Sequence, residues 1–302
     1  MAQRKAIPSN IRQEVLELRR THSQREVAEL TGLSIGTIKT IIARSGAFRD
    51  NPTHRALFSL PPVKESTQIL PATVQSPPLP RRVTCDAEVD AVLWLRKVIE
   101  TGDESLIGKA RIAFGHIKTP LSELQERYTR FMQEAQPGNL LAGLLFTQFD
   151  EIDRLAQAAI NKAALRREAY ARLGDKLEDT PAEQFCLNSL RGLEPESMGF
   201  LSNTEVADRF KVHTNLMPQT LNDCLHELAY WNHLYRLRNA ADPDWQPYQE
   251  VDAREIFTFS CMALIRPRST EEAVSVLRFM ADNGMMGQPD TDAILMNLVG
   301  NR

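Results

Sequence analysis

The sequence predicts an all-α protein. Thr180, Ser202 and Ser269 each stand three residues before a glutamate, which is the spacing of a capping box at the start of a helix. Runs of alternating β-branched residues, which would indicate strands, are nearly absent. We therefore expect a trihelical N-terminal head, a proline-rich linker and a larger helical C-terminal body, with at most a short hairpin near 230–250.

The composition excludes several classes of protein. Of the 302 residues, 42% are hydrophobic and 25% are charged, as in an ordinary soluble globular protein. No apolar run approaches the length of about 18 residues that a transmembrane helix needs, and no apolar stretch typical of a secretory signal follows the first residues. The four cysteines are far apart, which argues against a disulfide framework or a zinc ribbon. We expect a cytoplasmic protein that holds no metal and no cofactor and does not bind a membrane.

Charge is distributed unevenly along the chain. Residues 1–55 carry 10 Lys and Arg against 5 Asp and Glu, a net charge of +5, whereas residues 86–302 carry 23 against 33, a net charge of −10. A small basic region on a larger acidic one indicates a polyanionic partner for the basic region alone.

Residues 50–85 have the composition of a linker. They contain seven of the 17 prolines and no glycine. Since proline removes backbone donors and favours extended conformations, we expect this segment to be a semi-rigid tether. The short apolar stretch Ala56–Leu60 could instead dock on a neighbouring part of the chain.

The body, residues 86–302, is expected to be helical and could be split near 175–200. The predicted helices span residues 86–101, 104–117, 120–135, 139–173, 181–191, 203–211, 218–230, 252–265, 270–283 and 290–299. In the longest of these, apolar residues recur at 4-3-4-3-4 spacing from Leu145 to Ala163. This heptad seam fits either the core of a helical bundle or a dimer contact.

Residues 9–46 contain the most informative pattern. Ser23 and Glu26 have capping-box spacing and would begin a short helix after a first one over 9–20. Gly32 supplies a turn residue that tolerates a positive φ. Ser34 can cap a third helix, whose outer face would carry small, polar and basic side chains that suit the major groove of DNA.

This stretch, EVAELTGLSIGTIKTII, resembles the helix-turn-helix of the resolvase, invertase and transposase type. The resemblance covers about 40 residues, and it implies binding to double-stranded DNA. It does not imply recombinase chemistry, because only eight residues precede the first helix, where the catalytic domain of that family would normally stand. By position, it implies DNA-facing roles for residues on and around the third helix: Arg25, Ser34, Ile35, Thr37, Lys39, Thr40, Arg44 and Arg49. Of these, Ile35 could contact a thymine methyl group, and the three arginines are candidates for phosphate contacts.

Two weaker patterns lie in the body. Residues 199–248 resemble the C-terminal winged helix of phage antirepressors, with helices near 203–207 and 220–225 and a wing in 230–248. About four extra residues interrupt the expected turn, however. A second pattern comprises histidines and a cysteine whose spacing matches no zinc site, namely His213, Cys224, His226 and His233.

The sequence lacks the common enzyme motifs, including the phosphate-binding P-loop and the G-x-S-x-G turn, so we do not expect an enzyme. We expect a sequence-specific DNA-binding protein, used as a transcriptional regulator, that acts as a dimer or higher oligomer and could contact another protein through its body. The alternatives are an architectural or assembly factor, such as a partition adaptor, a replication organiser or a small terminase-like subunit, and an enzyme with unrecognised chemistry.

Overall fold

The computed structural model describes residues 7–45, 48–64, 76–135, 149, 151–196 and 200–300. Over these residues it contains 14 α-helices, two 3₁₀ turns and no strand, which confirms the all-α prediction. The helices are α1 Ser9–Thr21, α2 Gln24–Thr31, α3 Ile35–Ser45, α4 Pro52–Leu57, α5 Ala87–Glu100, α6 Glu104–Phe114, α7 Leu121–Ala135, α8 Ile152–Leu173, α9 Pro181–Ser189, α10 Asn203–Lys211, α11 Leu221–Ala241, α12 Gln249–Cys261, α13 Thr270–Asp282 and α14 Thr291–Val299. None of these helices combines the length and the apolar character that a membrane crossing requires.

The predicted helix starts are confirmed in part. Thr180 and Glu183 form the complete capping box at α9, and the Ser269 hydroxyl accepts a hydrogen bond from the Glu272 amide at α13. Ser202 precedes α10 as predicted, but its side chain makes no capping bond. The spacing of a capping box therefore located all three starts but predicted the full pair of hydrogen bonds correctly only at α9.

The chain divides into two units, of which unit 1 contains Met1–Pro61, Glu178–Tyr235 and Trp245–Arg302, and unit 2 contains Pro62–Leu177 and Arg236–Asp244. The predicted division into residues 1–49, 50–85 and 86–302 therefore differs from the observed one. The division arises because the chain leaves unit 1 at Pro61 and returns to it after Leu177. Segments distant in sequence then share one core.

The linker prediction is wrong at the N-terminal end of 50–85. Residues 52–57 form α4, and Phe58 is fully buried in unit 1, as in the docking alternative for Ala56–Leu60. At the other end, residues 76–85 contain no helix and are mostly exposed, and the Trp94 indole donates a hydrogen bond to the Pro78 carbonyl at 2.6 Å. Residues 65–75 of the predicted tether lie outside the described residues. Over residues 52–58, buried side chains such as His54 and Phe58 outweigh the extended tendency of the prolines.

The seam in α8 packs inside unit 2. Ala156 and Ala159 are buried against Ile99 of α5 and Ile107 of α6. A Cβ on Gly102 would lie 2.6 Å from the Ala163 Cβ, so the small residues of the seam admit a close backbone approach. These positions form a bundle core, and the dimer contact proposed for them is wrong. Of the predicted helix 139–173, the part Ile152–Leu173 is confirmed as α8. Residues 149 and 151 are described and are not helical, whereas residues 139–148, which include Leu145, and residue 150 lie outside the described residues.

The predicted hairpin near 230–250 is also wrong, because α11 continues as one helix of 21 residues to Ala241. A wing in 230–248 is therefore excluded over its helical part. Side chains such as Trp231 and Leu234 are fully buried along α11, and this burial outweighs any local preference for a turn. Of the features expected from the winged-helix resemblance of residues 199–248, both helices are present, as α10, which matches the predicted residues 203–211, and as the start of α11 at Leu221. The part of the expected wing that α11 occupies is helical instead.

Candidate nucleic-acid interface

The start of α2 and the turn that follows it have the predicted local geometry. The Ser23 hydroxyl accepts from the Glu26 amide at 3.2 Å, and the Glu26 carboxylate accepts from the Ser23 amide at 2.5 Å. The hydrogen bond from the Ser23 amide, together with the interaction of the Ser23 side chain, lowers the pKa of the Glu26 carboxyl. Gly32 ends α2 at φ +67°, a left-handed conformation that glycine adopts without a Cβ penalty. The chain can therefore reverse between α2 and α3 without strain.

The helices α1, α2 and α3 share a small apolar core. Val15 of α1, Val27 of α2 and Ile38 of α3 are fully buried, and Ile41 is nearly so. Half-buried Leu33 and Ala28 pack around this group. Since Ile38 and Ile41 face inward, the opposite side of α3 is left to solvent.

That opposite side carries most of the predicted DNA-binding residues. Ile35, Lys39, Thr40 and Arg44 are exposed on α3. The pairs Ile35/Lys39 and Thr40/Arg44 are each four positions apart, so both pairs lie on the side of the helix opposite Ile38 and Ile41. Ile35 keeps 40% of its surface exposed, so an apolar side chain is available at the start of this surface. Four exposed positions of the predicted set thus come together on one helix.

The remaining predicted residues flank this surface. Ser34 is exposed immediately before α3, Arg25 is exposed on α2, and Arg49 is exposed beyond the C-terminal end of α3. Thr37 is half-buried. The structure therefore places two of the three predicted phosphate ligands, Arg25 and Arg49, outside α3 itself.

The three hydroxyl groups of the set are engaged within α3. Thr37 donates its amide to the Ser34 hydroxyl at 3.2 Å, and the two hydroxyl oxygens of these residues are 2.9 Å apart. The Thr40 hydroxyl donates to the Gly36 carbonyl at 2.8 Å. The sequence pattern assigned these groups to DNA, but their local hydrogen bonds make them helix-stabilising groups first. Ile35, Lys39 and Arg44 remain as the side chains with the greatest freedom to meet a ligand.

Sequence reasoning missed two further cations near these helices. The Arg19 guanidinium donates to the His22 carbonyl at 2.8 Å, and its central carbon lies 5.8 Å from the centre of the Phe48 ring. Partial burial, together with the positive charge of Arg266, lowers the pKa of Arg19. Arg266 belongs to the segment between α12 and α13, so only the folding of unit 1 could reveal that it acts on Arg19.

A second cluster of charged side chains is fully buried in unit 1. The Glu227 carboxylate accepts from His54 Nε2 at 2.7 Å, from Arg254 Nε at 2.7 Å and Nη2 at 2.9 Å, and from the Thr258 hydroxyl at 2.8 Å. Burial alone would raise the pKa of Glu227, but Arg254 and His54 outweigh it and lower this pKa to about 2. The carboxylate is therefore ionised at neutral pH.

Aromatic rings surround the cation of this cluster. The central guanidinium carbon of Arg254 lies between 4.8 and 5.7 Å from four ring centres, those of Phe58, Phe185, Phe210 and Phe257. The negative faces of such rings attract a cation, and the attraction grows when water is excluded. Because His54, Glu227 and Arg254 have no exposed surface, the cluster cannot meet a substrate and serves to join α4, α11 and α12.

The same segment is held by a second carboxylate. Asp223 is fully buried and accepts from the Asn51 amide at 3.0 Å and from Arg55 Nε at 2.8 Å. The Asn51 side chain donates to the carbonyls of Asn215 and Met217, both at 2.9 Å. Residues 51–58, predicted as part of a tether, are thus held to unit 1 by hydrogen bonds, and we refer to them as the anchor. In the sequence, Gly46 and Ala47 separate the end of α3 from Phe48.

The residues considered for a metal site do not form one. His213 Nε2 lies 3.4 Å from the Ser189 hydroxyl, His226 Nε2 lies 3.3 Å from the Arg55 carbonyl, and Cys224 is buried as a free thiol. Among the described residues, no three side chains of His, Cys, Asp or Glu converge where they could hold a metal ion.

No protein-family model, curated protein or solved structure matches this chain. The interpretation of the surface on α3 therefore rests on its own geometry and charge.

Proposed function

We propose that this protein binds double-stranded DNA sequence-specifically and that α3 enters the major groove. The observation that carries the proposal is the division of α3 into two faces. Its inner face is buried through Ile38 and Ile41, whereas its outer face exposes Ile35, Lys39 and Arg44 around the small residue Gly36. A protruding helix with small, basic and apolar groups matches the width and the chemistry of the major groove.

Charge supports this assignment. Residues 1–55 carry a net charge of +5 in a chain whose total is −3. Most of the affinity of such proteins for DNA comes from cations that meet phosphates and release counterions. We assign Arg25, Arg44 and Arg49 to phosphate contacts, because arginine donates bidentate hydrogen bonds to phosphate oxygens.

Base recognition falls to two side chains on the outer face. Ile35 can pack against a thymine methyl group, and Lys39 can donate to the acceptors of a guanine edge. Ser34, Thr37 and Thr40 contribute mainly by fixing the first turns of α3, since their hydroxyls are hydrogen-bonded there.

The phosphate assignment is tested with the full-length chain and a mixed-sequence DNA duplex. Arg44→Ala should weaken binding to all sequences and reduce the slope of log affinity against log salt by about one, the loss of one phosphate contact. Arg278→Ala is the matched control, because Arg278 is an exposed arginine on α13, far along the chain from α3. Equal affinities and slopes for the two variants would refute the assignment.

A second measurement tests the base contact. Lys39→Ala should cost about 1–3 kcal/mol on the preferred duplex, selected from a random pool, and much less on mixed-sequence DNA. An equal loss on both duplexes would instead make Lys39 a phosphate ligand.

Tight specific binding favours more than one copy. A single trihelical unit buries an interface of only about 600–1,000 Å² with DNA, so we propose that two copies cooperate on one site. Occupancy of one or two operators, as in a transcriptional regulator, is the use we propose for this binding. Genome-wide occupancy mapping tests it, since clustered sites covered by larger assemblies would indicate an architectural or assembly factor.

A further inference from the structure

A basic groove is built on one side of α5 in unit 2. The segment that precedes α5 is tied to it at two points: Pro78 accepts from the Trp94 indole at 2.6 Å, and the Asp90 carboxylate accepts from the Val83 amide at 3.1 Å and the Thr84 amide at 2.8 Å. Between these ties lies a groove of about 390 Å³. Its two walls are therefore fixed by hydrogen bonds.

The lining of the groove is apolar with a cationic rim. Leu79, Val83, Leu93 and Trp94 provide the apolar surface, and Arg81 and Lys97 provide the charges, whereas no carboxylate lines it. Leu79 is 85% exposed, which leaves a large apolar side chain in water at the edge of the groove. An occupant that combines apolar side chains with negative charge would cover Leu79 and pair with a cation of the rim.

Helix α14 presents a surface of that kind in unit 1. Its inner face is buried through Ile294 and Leu298, while Met296 is 63% exposed and Val299 is 78% exposed. Asp292 is exposed four residues before Met296, and the spacing of 292, 296 and 299 places these three side chains along one face. The helix contains no lysine or arginine. This face is therefore apolar and acidic.

We propose that α14 of one copy of the chain occupies the groove beside α5 of a second copy. Met296 and Val299 would cover Leu79 and Trp94, and Asp292 would meet Lys97 or Arg81. An amphipathic helix that lays its apolar face in a groove is a recurrent mode of protein recognition. The proposal does not rest on DNA binding. It identifies a contact that would bring two copies of the chain together, in place of the dimer contact that the buried seam in α8 does not provide.

The alternative self-contact faces are less suited to the groove. The exposed face of α13, with Val274 and Leu277, carries the carboxylates Glu271 and Asp282 but also Arg278, which would repel Lys97. The exposed face of α14 offers a carboxylate without a cation, so charge complementarity favours α14.

The test is the mass of the full-length chain, measured by light scattering and sedimentation equilibrium at tens of micromolar. The wild type should associate. Lys97→Glu and Asp292→Lys should each raise the dissociation constant by roughly tenfold, the effect of about 1.4 kcal/mol. The double variant, with both charges exchanged, should associate nearly as the wild type does, because the pair is then attractive again.

Two controls keep the outcome specific. Lys109→Glu makes the same charge change at an exposed position of α6 outside the groove and should leave association unchanged. Leu79→Ser and Met296→Ser should weaken association without affecting the folding of the monomer, since both side chains are largely exposed.

A wild type that stays monomeric would overturn the proposal, as would association that none of these substitutions changes. If both single charge variants weaken association and the double variant fails to restore it, the pairing of α14 with the groove is refuted.

Discussion

Two cations of this chain show how the same kind of side chain can serve opposite purposes. Arg254 is fully buried, bonded to Glu227 and surrounded by four aromatic rings. Arg44 is exposed on the outer face of α3. The charge of Arg254 serves only to hold helices together, whereas the charge of Arg44 is accessible to an anion. Burial and partners, and not residue type, separate an architectural charge from a candidate binding residue.

The surroundings of the two cations differ in the same way. The core beneath α1–α3 consists of a few aliphatic side chains and contains no buried charge among its four central members. Around Arg254, by contrast, removal of one group leaves another charge unpaired in an apolar site. Substitutions should therefore act on stability near Arg254 and on ligand affinity near Arg44.

The largest effect is expected for Glu227→Ala. It leaves the Arg254 guanidinium buried without its carboxylate, and such a loss costs about 3–5 kcal/mol in the free energy of unfolding. Urea unfolding of the full-length protein measures it. Asp208→Ala, which removes an exposed carboxylate that lies 3.9 Å from Lys211, should change stability by less than about 0.5 kcal/mol. Equal effects of the two substitutions would show that the buried cluster is not a structural centre.

The stability of the protein at low pH should depend on the same buried cluster. The pKa of Glu227 is lowered from 4.5 to about 2 in the folded protein. A lowered carboxyl pKa contributes stability that is complete above the ordinary value of 4.5 and is lost as the pH falls towards 2, here about 3 kcal/mol.

The difference in unfolding free energy between wild type and Glu227→Gln, followed over this range, isolates the contribution. Burial raises the pKa of Asp252 and of Glu255, so these two groups act with the opposite sign, but they do so in both proteins. If the difference in unfolding free energy between the two proteins stays constant between about pH 6 and pH 2, the lowered pKa of Glu227 is contradicted.

A smaller effect is expected at the turn before α3. Gly32 has φ +67° and no atom within 4 Å of the position of an added Cβ, so Gly32→Val meets no clash and suffers only the conformational penalty of about 1–3 kcal/mol. Gly32→Asn should cost less, because asparagine tolerates the left-handed region. Thermal unfolding compares the two variants. Affinity for DNA should fall in the same order if the turn sets the position of α3, and an unchanged affinity would refute that role.

Local patterns in the sequence were sufficient for the parts of the fold that depend on near neighbours. The capping box of Ser23 and Glu26, the left-handed turn at Gly32 and the bounds of α10 follow from interactions within a few residues. The exposed face of α3 was predicted for the same reason, because the spacing of Ile38 and Ile41 defines which side is buried. The local hydrogen bonds of Ser34 and Thr40 were not predicted, and the DNA contacts expected of their hydroxyl groups stay predictions.

Longer-range features could not be predicted from local patterns. A heptad spacing in α8 describes which side chains share a face, but it does not say what covers that face, and Ala156 turned out to face α5 and α6. Likewise, proline content indicated an extended tether over 50–85, yet Phe58 found aromatic neighbours contributed by residues more than 100 positions away, such as Phe185 and Trp231.

The sequence by itself determined the helical class, the asymmetry of charge and the inner and outer faces of α3, since these depend on composition and on spacing within one helix. The tertiary structure alone decided that His54 meets Glu227, that Arg254 lies among four rings and that the anchor is packed. His54 and Glu227 are 173 positions apart, and a buried charge can persist only where the fold brings its partners and excludes water. Local residue spacing in the sequence therefore does not predict such partners.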